Sequence, residues 1–254
     1  YITTQDMDQS YKLRDYQKEA VARIVYSGST LLAHGVGTGK TSEMIASAME
    51  LKRMGIVKKN LFVVPKNKTT DFRNDILMIY PNAKILAPSE SDMTKSNRAR
   101  LLSQIAANDF DIVIISHPQL TMLPVSKETQ SDFISQQLDE LESVITSAKS
   151  EKTSDSRFIK GLEKSKEKLE EKLKDMLDMP KDDTVTFEEL GVDSIFVDEA
   201  HNFKNLNYYT KLNVAGVGGS GTDTGKCPDL LMKCDYIRKK KGIIVFGTAT
   251  PITN

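Results

Sequence analysis

Leu31-Leu32-Ala33-His34-Gly35-Val36-Gly37-Thr38-Gly39-Lys40-Thr41 decides the fold of this 254-residue chain. An apolar run leads in, three glycines alternate through the middle, and Lys40-Thr41 open a stretch in which Met44, Ile45, Ala48 and Leu51 share one helical face. Strand, glycine-rich turn and helix in that order let successive backbone N–H groups converge on phosphate oxygens. The helix starting near Lys40 adds the positive end of its dipole. Gly35, Val36, Gly37, Thr38 and Gly39 are expected to form the backbone cradle of a nucleotide. Lys40 is placed to meet the β- and γ-phosphates, and the Thr41 hydroxyl to ligate magnesium. A strict phosphate loop carries Gly where this chain carries His34.

Outward from the loop, short β-branched or leucine-rich runs recur at 30–33, 61–64, 84–86, 112–115, 194–197 and 243–246. Between them lie helical faces: Ala20, Val21, Ile24 and Val25 before the loop, and Phe72, Ile76 and Ile79 after the second run. Alternating strands and helices predict an α/β, doubly wound domain with a mostly parallel sheet flanked by helices and buried on both faces. The rhythm breaks between 128 and 179. There Phe133, Leu138, Leu141 and Ile145, then Phe158, Leu162, Leu169, Leu173 and Met176, recur at helical spacing amid dense Lys and Glu. Two helices joined near 153–155 would pack as an antiparallel hairpin, an insertion spanning 124–182. Its charges are mixed in sign and form no basic stripe, which favours a solvated insertion over a DNA-touching arm. Thr186 and Glu189 then form a capping box for a short helix ending at Gly191.

The chain carries 35 basic and 35 acidic residues, so it lacks the overall basic footprint of an autonomous DNA binder; a local positive groove remains compatible with that balance. Cys227 and Cys234 stand seven apart on one expected helix, about 10 Å by helical rise, too far for a bridge, and no matching histidines make a zinc site. Reduced cysteines and the lack of a membrane-length apolar stretch or signal peptide predict a cytoplasmic setting. Residue 1 is Tyr rather than Met, which suggests a trimmed chain. The glycine-rich run 216–221 reads as a flexible linker. Arg238-Lys239-Lys240-Lys241 reads as a basic helix end before Gly242.

Asp198-Glu199 follow the apolar run Ile195-Phe196-Val197, at the carboxyl end of a strand, where open α/β sheets place their ligands. Asp198 is expected to hold magnesium through a water, and Glu199 to orient the water that attacks the γ-phosphate. ATP and Mg2+ are the cofactors these residue types call for, with Lys40, Asp198 and Glu199 as the catalytic set.

Taken with Arg14-Asp15-Tyr16-Gln17, Val64-Pro65-Lys66-Asn67, Ile115-Ser116-His117, Asp198 to Asn205 and Thr248 to Asn254, the chain resembles the superfamily two helicases, from the Q motif through motif III. Asp198-Glu199-Ala200-His201 corresponds to the DEAH box; Lys204-Asn205, Thr250-Pro251 and Asn254 are closest to the Swi/Snf-like translocases. The resemblance covers the chain except the helical insertion. It implies that residues 1–254 are the first RecA-like lobe of a motor. It further implies that Gln17 reads the adenine edge, and that Lys66, Asn67, Ser116 and His117 lie near the phosphates of one DNA strand. His201, Thr248 and Thr250 would then couple the nucleotide site to the nucleic acid. The implied partners are DNA, chiefly duplex, and a second RecA-like lobe of the same parent chain that supplies an arginine finger. Such a finger is worth a factor of about 10³ to 10⁵ in rate, so the fragment alone is expected to hydrolyse ATP very slowly. The parent is similar to the large phage and mobile-element proteins that join such a motor to a DNA methyltransferase. A protein-remodelling or signalling ATPase indifferent to nucleic acid, and a nucleotide-stabilised interaction module, stay open as alternatives; a kinase has no use for the Asp-Glu-Ala-His box.

Overall fold

The computed structural model describes residues 6–150, 156–178, 185–204 and 225–251. The strands β1 (Thr30–Leu32), β2 (Asn60–Val64), β3 (Ile85–Leu86), β4 (Ile112–Ser116), β5 (Ser194–Asp198) and β6 (Ile243–Gly247) form one sheet in the order β1-β6-β5-β2-β4-β3. Every pairing is parallel. The α/β architecture expected from the sequence, a sheet flanked by helices, is the one observed, and the sheet is parallel throughout.

Every residue of β2, β4 and β5 is buried, as continuous β-branched and aromatic runs require when both faces are covered. Strand alternation divides the apolar side chains between two cores. Phe62, Val64, Ile112, Ile114 and Phe196 point to one face, where they meet α1 (Asp15–Ser27), α2 (Lys40–Arg53) and α3 (Thr69–Ile79). Leu61, Val63, Val113, Ile115, Ile195 and Val197 point to the other. That face meets α4 (Lys95–Ala107), α5 (His117–Leu120) and, later in the chain, the helix Lys226–Lys239. Phe62 and Phe196 stack at 4.8 Å with ring planes 4° apart, locking neighbouring strands on the first face.

Between β4 and β5 the chain forms α6 (Lys127–Ser150) and α7 (Ser156–Asp178). Leu141, Ile145 and Leu162 make a small core of their own, with Val144, Phe158 and Leu169 packed against it. Lys149 pairs with Glu163 at 2.7 Å and Glu142 with Lys166 at 2.6 Å, so residue numbers rise on one helix as they fall on the other, the antiparallel arrangement. The seam is narrower than the sequence stripe suggests. Phe133 and Leu138 are half-buried, while Ile134 is the buried residue of that turn. The joint at 153–155 and the side chain of Met176 lie outside the described residues. The hairpin is fastened at its root, where the Glu188 carboxylate accepts from Ser126 N and from its hydroxyl, the latter at 2.9 Å. The expected capping box is present: Thr186 precedes a 3-10 turn, Phe187–Leu190, that closes at left-handed Gly191.

The last helix, α8 (Lys226–Lys239), carries Cys227 and Cys234, both buried and free. It also carries a wholly buried lysine. Lys233 Nζ donates to Leu120 O at 2.6 Å and to both Asp229 oxygens at 2.7 and 2.8 Å, tying α8 to α5. Burial pushes the Lys233 pKa down and the Asp229 pKa up, and each partner's charge opposes that shift. At the end of α8 it is Lys241, not Gly242, that takes the left-handed turn, with φ 59°. Gly242 serves close approach, because a Cβ there would stand 2.2 Å from Asp193 O. Arg238 and Lys239 both pair with Asp235, so two of the four basic residues at this helix end answer a local carboxylate. The linker expected at 216–221 lies outside the described residues. Among the described residues no helix is long and apolar enough to cross a membrane.

Candidate functional site

In a sheet whose strands all run one way, every loop leaving a strand's carboxyl end opens on the same edge. Residues separated by more than 200 positions in sequence are thereby gathered. On that edge lie the loop 33–39 after β1, the turn Lys66–Lys68 after β2, the start of α5 after β4, the turn Ala200–Phe203 after β5, and Thr248 to Pro251 after β6.

The loop after β1 turns on two left-handed glycines. Gly37 and Gly39 sit at φ 78° and 85°, a conformation that L side chains rarely adopt. Gly39 also lies against Gln17: a Cβ would stand 2.3 Å from Nε2, so the amide would have to give up its place under the loop. Gln17 is 7% exposed; its Nε2 donates to Thr38 O at 3.0 Å and its Oε1 accepts from Arg14 N at 2.9 Å. The glutamine expected at the adenine edge is thus engaged beneath the loop. The Tyr16 hydroxyl donates to the same Thr38 carbonyl at 2.8 Å, and Thr38 Oγ1 donates to Gly35 O at 2.9 Å. Lys40 Nζ donates to His34 O at 2.8 Å and Gly35 O at 2.9 Å, which holds the ammonium at the loop. Val36, at the tip, is 90% exposed, and Thr41 in the first turn of α2 is half-buried.

His34, the departure from a strict loop, has a structural reason. Its Nδ1 lies 2.9 Å from Oε2 of Glu43, a carboxylate in the first turn of α2 with no solvent exposure. A histidine at the loop's first position gives that buried acid a partner where glycine would leave it bare. Burial raises the Glu43 pKa against the pull of His34 and Lys40, and Oε1 has no hydrogen-bond partner among the described residues.

Asp198 ends β5 and is 8% exposed. Burial, reinforced by the Glu199 charge, pushes its pKa up to about 6, while Lys40 and Lys68 pull it down. Its place relative to α2 is fixed through Gly247: a Cβ built there would stand 2.9 Å from Met44 Sδ and 3.8 Å from Asp198 Oδ1. Asp198 Oδ1 and Met44 Sδ of α2 thus border the same bare glycine, and the Lys40 charge reaches the carboxylate. Glu199 is left-handed at φ 51° and ψ 48°, an uncommon conformation for a residue with a side chain, and it starts the turn Ala200–Phe203. His201 Nδ1 lies 3.2 Å from Glu199 Oε2 and 3.1 Å from Thr248 Oγ1. Thr250 N donates to that same hydroxyl at 3.2 Å, and Thr248 N donates to Leu32 O, next to the phosphate loop. His201, Thr248 and Thr250 form one chain of contacts from the acidic pair to β1. Asn205 and residues 252–254 lie outside the described residues.

The four residues expected along a nucleic-acid strand separate into two pairs. Lys66 and Asn67 are exposed on their turn, Lys66 in an ion pair with Glu90. Ser116 and His117 face inward. Ser116 is buried and its hydroxyl caps α5, while His117 Nε2 lies 2.9 Å from Asp198 O and its ring meets the Phe203 ring edge-on at 5.0 Å. Burial lowers the His117 pKa, so the neutral ring donates Nε2–H to that carbonyl. A histidine at the head of α5 thereby touches the backbone of the acidic pair.

Several residues at this edge escape sequence reasoning. Glu43 looks like a solvated helix residue, and only the packing of α2 against the sheet buries it. Lys68 extends the exposed Lys66-Asn67 pair and is felt by Asp198. Tyr16, Glu19 and Arg23 line a cleft of about 730 Å³ beside the loop; their spacing of three and four on α1 is the signal that could have found them. A second, largely apolar cavity of about 380 Å³ lies between Phe203, α8 and β6, away from the loop. Among the described residues no three His, Cys, Asp or Glu side chains gather to hold a metal. A magnesium ion needs fewer, since it keeps waters and takes phosphate oxygens beside one or two side chains. Thr41 brings a hydroxyl and Asp198 a buried carboxylate, the oxygen donors that such an ion takes from protein side chains.

Among solved structures the chain is similar to the Sulfolobus solfataricus SWI2/SNF2 ATPase core in complex with dsDNA, at 14% identity and a TM-score of 0.49. The match covers 95% of this chain and 32% of that one, so the chain spans about a third of its length. No curated protein matches it in sequence. The model of the family described as "Probable helicase domain" matches residues 23–253, nearly the whole chain, and the chain belongs to that family.

Proposed function

We propose that this helicase-family chain is the ATP-binding motor lobe of a DNA-dependent ATPase of the Swi/Snf-like, DEAH-box kind, working on duplex DNA as part of a larger protein. The observation that carries the reading is the meeting, on one sheet edge, of the loop bearing Lys40 and Thr41 with the buried Asp198 and strained Glu199. A purely structural glycine turn has no need of an acid whose ionisation is resisted by its surroundings, whereas phosphoryl transfer to water uses such an acid.

In this reading the amides of residues 35–40 bind the β- and γ-phosphates, and Lys40 leaves the His34 and Gly35 carbonyls for phosphate oxygens. Thr41 and Asp198 would hold a magnesium ion, which would supply neutralisation of the charge that builds on the transferred group. Glu199 orients the attacking water and takes its proton, its side chain aimed by the left-handed backbone and steadied by His201. The contacts from His201 through Thr248 to Thr250 carry the state of the nucleotide toward the DNA side. Lys66 and Asn67 meet DNA phosphates directly, with Ser116 and His117 acting through α5 and the Asp198 backbone. Gln17 and Tyr16 brace the loop, Gln17 keeping one amide hydrogen for adenine. A second RecA-like lobe supplies an arginine to the transition state, and turnover by this lobe alone is slow. Residues 124–182 act as an inserted helical module.

The test is thermal unfolding with and without magnesium-ATP. At 100 times its dissociation constant the ligand stabilises by about 2.7 kcal/mol, and Lys40→Ala removes most of that gain. Equal stabilisation of both proteins sinks the reading. For the DNA-dependent part, ATP turnover by the full parent rises with added duplex; turnover indifferent to every nucleic acid favours a protein-remodelling ATPase instead.

A further inference from the structure

The apolar cavity of about 380 Å³ between Phe203, α8 and β6 has the size and lining of a small-molecule site. Phe203, Leu230, Ile244 and Phe246 form its walls. Leu31 from the edge strand β1 and Leu231 from α8 line it too, yet they are 55% and 38% exposed, so its mouth is apolar on two sides. An apolar cavity of about 150 Å³ stays dry and takes up benzene. This one is more than twice as large and suits a fused pair of aromatic rings or a chain of about ten carbons. Among the described residues that line it, Lys204, Asp235 and Arg238 are the charged ones. The Asp235 carboxylate is spent: one oxygen pairs with Arg238 Nη2 at 2.5 Å and the other with Lys239 Nζ at 2.9 Å. Two cations thus share one acid. The Arg238 side chain is 77% exposed, and a guanidinium has more N–H donors than that single bond uses.

Apolar walls beside a surplus of positive charge match an amphiphile with an anionic head. The walls gain by covering its tail, and a guanidinium holds a carboxylate through charge-assisted hydrogen bonds. A cationic or wholly polar molecule loses on both counts. We propose that this cavity binds a small amphiphilic carboxylate, a medium-chain aliphatic or naphthalene-sized aromatic acid, with its head on Arg238 and its tail between Phe203 and Phe246. The assignment is independent of the reading of residues 34–41 as a nucleotide site. His201 and Thr248 also border the cavity, so an occupant lies against the step of the contact chain that leads from Glu199 toward β1.

Fluorescence titration of the 254-residue chain with anilinonaphthalene sulfonate, an aromatic ring system carrying one anionic group, tests it. The probe saturates a single site and decanoate displaces it. Decanol, the same chain without the charge, competes about tenfold or more weakly, because it lacks the charge-assisted bonds. Acetate, a head without a tail, does not compete. Arg238→Ala weakens decanoate about tenfold and leaves decanol within about threefold of its native value. Leu31→Glu sets a carboxylate at the mouth and weakens the probe, decanoate and decanol together; Leu231→Glu repeats that test from the opposite wall. Both leucines are partly exposed, so the thermal unfolding midpoint of at least one variant should stay at the native value. Equal binding of decanoate and decanol overturns the carboxylate class and marks the cavity as a seat for an uncharged group. Probe binding that survives both leucine variants, competitive displacement by magnesium tripolyphosphate, or the absence of saturable binding overturns the site itself.

Discussion

Asp198→Asn is expected to stabilise the free protein while disabling it. Burial and the Glu199 charge lift the Asp198 pKa from an ordinary 3.8 to about 6. A folded-state value above the unfolded one means that the folded chain holds the proton more tightly. Ionising this carboxyl therefore costs nothing below about pH 4, costs progressively more up to about pH 6, and costs its full amount above that. A rise of roughly two pH units, at about 1.36 kcal/mol each, puts the full cost at about 3 kcal/mol. An asparagine of the same shape never ionises and escapes the penalty. Urea unfolding of both proteins between pH 4 and pH 8 measures the difference: the variant leads by up to about 3 kcal/mol at pH 8, and the lead shrinks below pH 6 and vanishes near pH 4. Added magnesium-ATP should reverse the order, because only the native carboxylate gains a cation. A variant that is less stable than the native chain at pH 8 without ligand, or that keeps the magnesium-dependent gain, would refute the assignment of Asp198 as a metal-facing acid held ready at a cost to folding.

Other substitutions probe the frame around that site. Gly39→Ala combines φ 85° with a Cβ 2.3 Å from Gln17 Nε2, so nucleotide-induced stabilisation should disappear even where the protein still folds; calorimetric titration with magnesium-ATP checks it. Gly242→Ala sets a Cβ 2.2 Å from a backbone carbonyl that cannot swing away, and should cost about 2 to 4 kcal/mol in urea unfolding. Lys241→Gly, one residue earlier, relieves a left-handed lysine and should gain about 0.5 to 1 kcal/mol in the same measurement. Lys233→Ala strips the buried Asp229 and Leu120 O of their partner and should cost about 3 to 5 kcal/mol, a loss that Asp229→Ala in the same chain partly restores as the double variant is compared with the two single ones.

The layers and the chemistry of the edge are legible in the order of amino acids alone. Continuous apolar runs fix which residues are strands, and a parallel sheet follows because helices lie between them; Gly37, Gly39, Lys40 and Thr41 are legible because backbone geometry and phosphate charge leave few residue types that serve. The acidic pair is legible from its place after Ile195-Phe196-Val197. Tertiary structure alone decided how distant residues complete one another. Glu43 and Lys233 carry solvated side chains in any sequence reading, and only packing shows them buried, one held by His34 and the other by Asp229. Ser116 and His117 read as phosphate donors, yet the close pairing of β4 and β5 against β2 turns His117 onto the Asp198 carbonyl. Local pattern records the free energy of each segment with water, whereas desolvation and long-range hydrogen bonds arise only once segments far apart in the chain share a boundary.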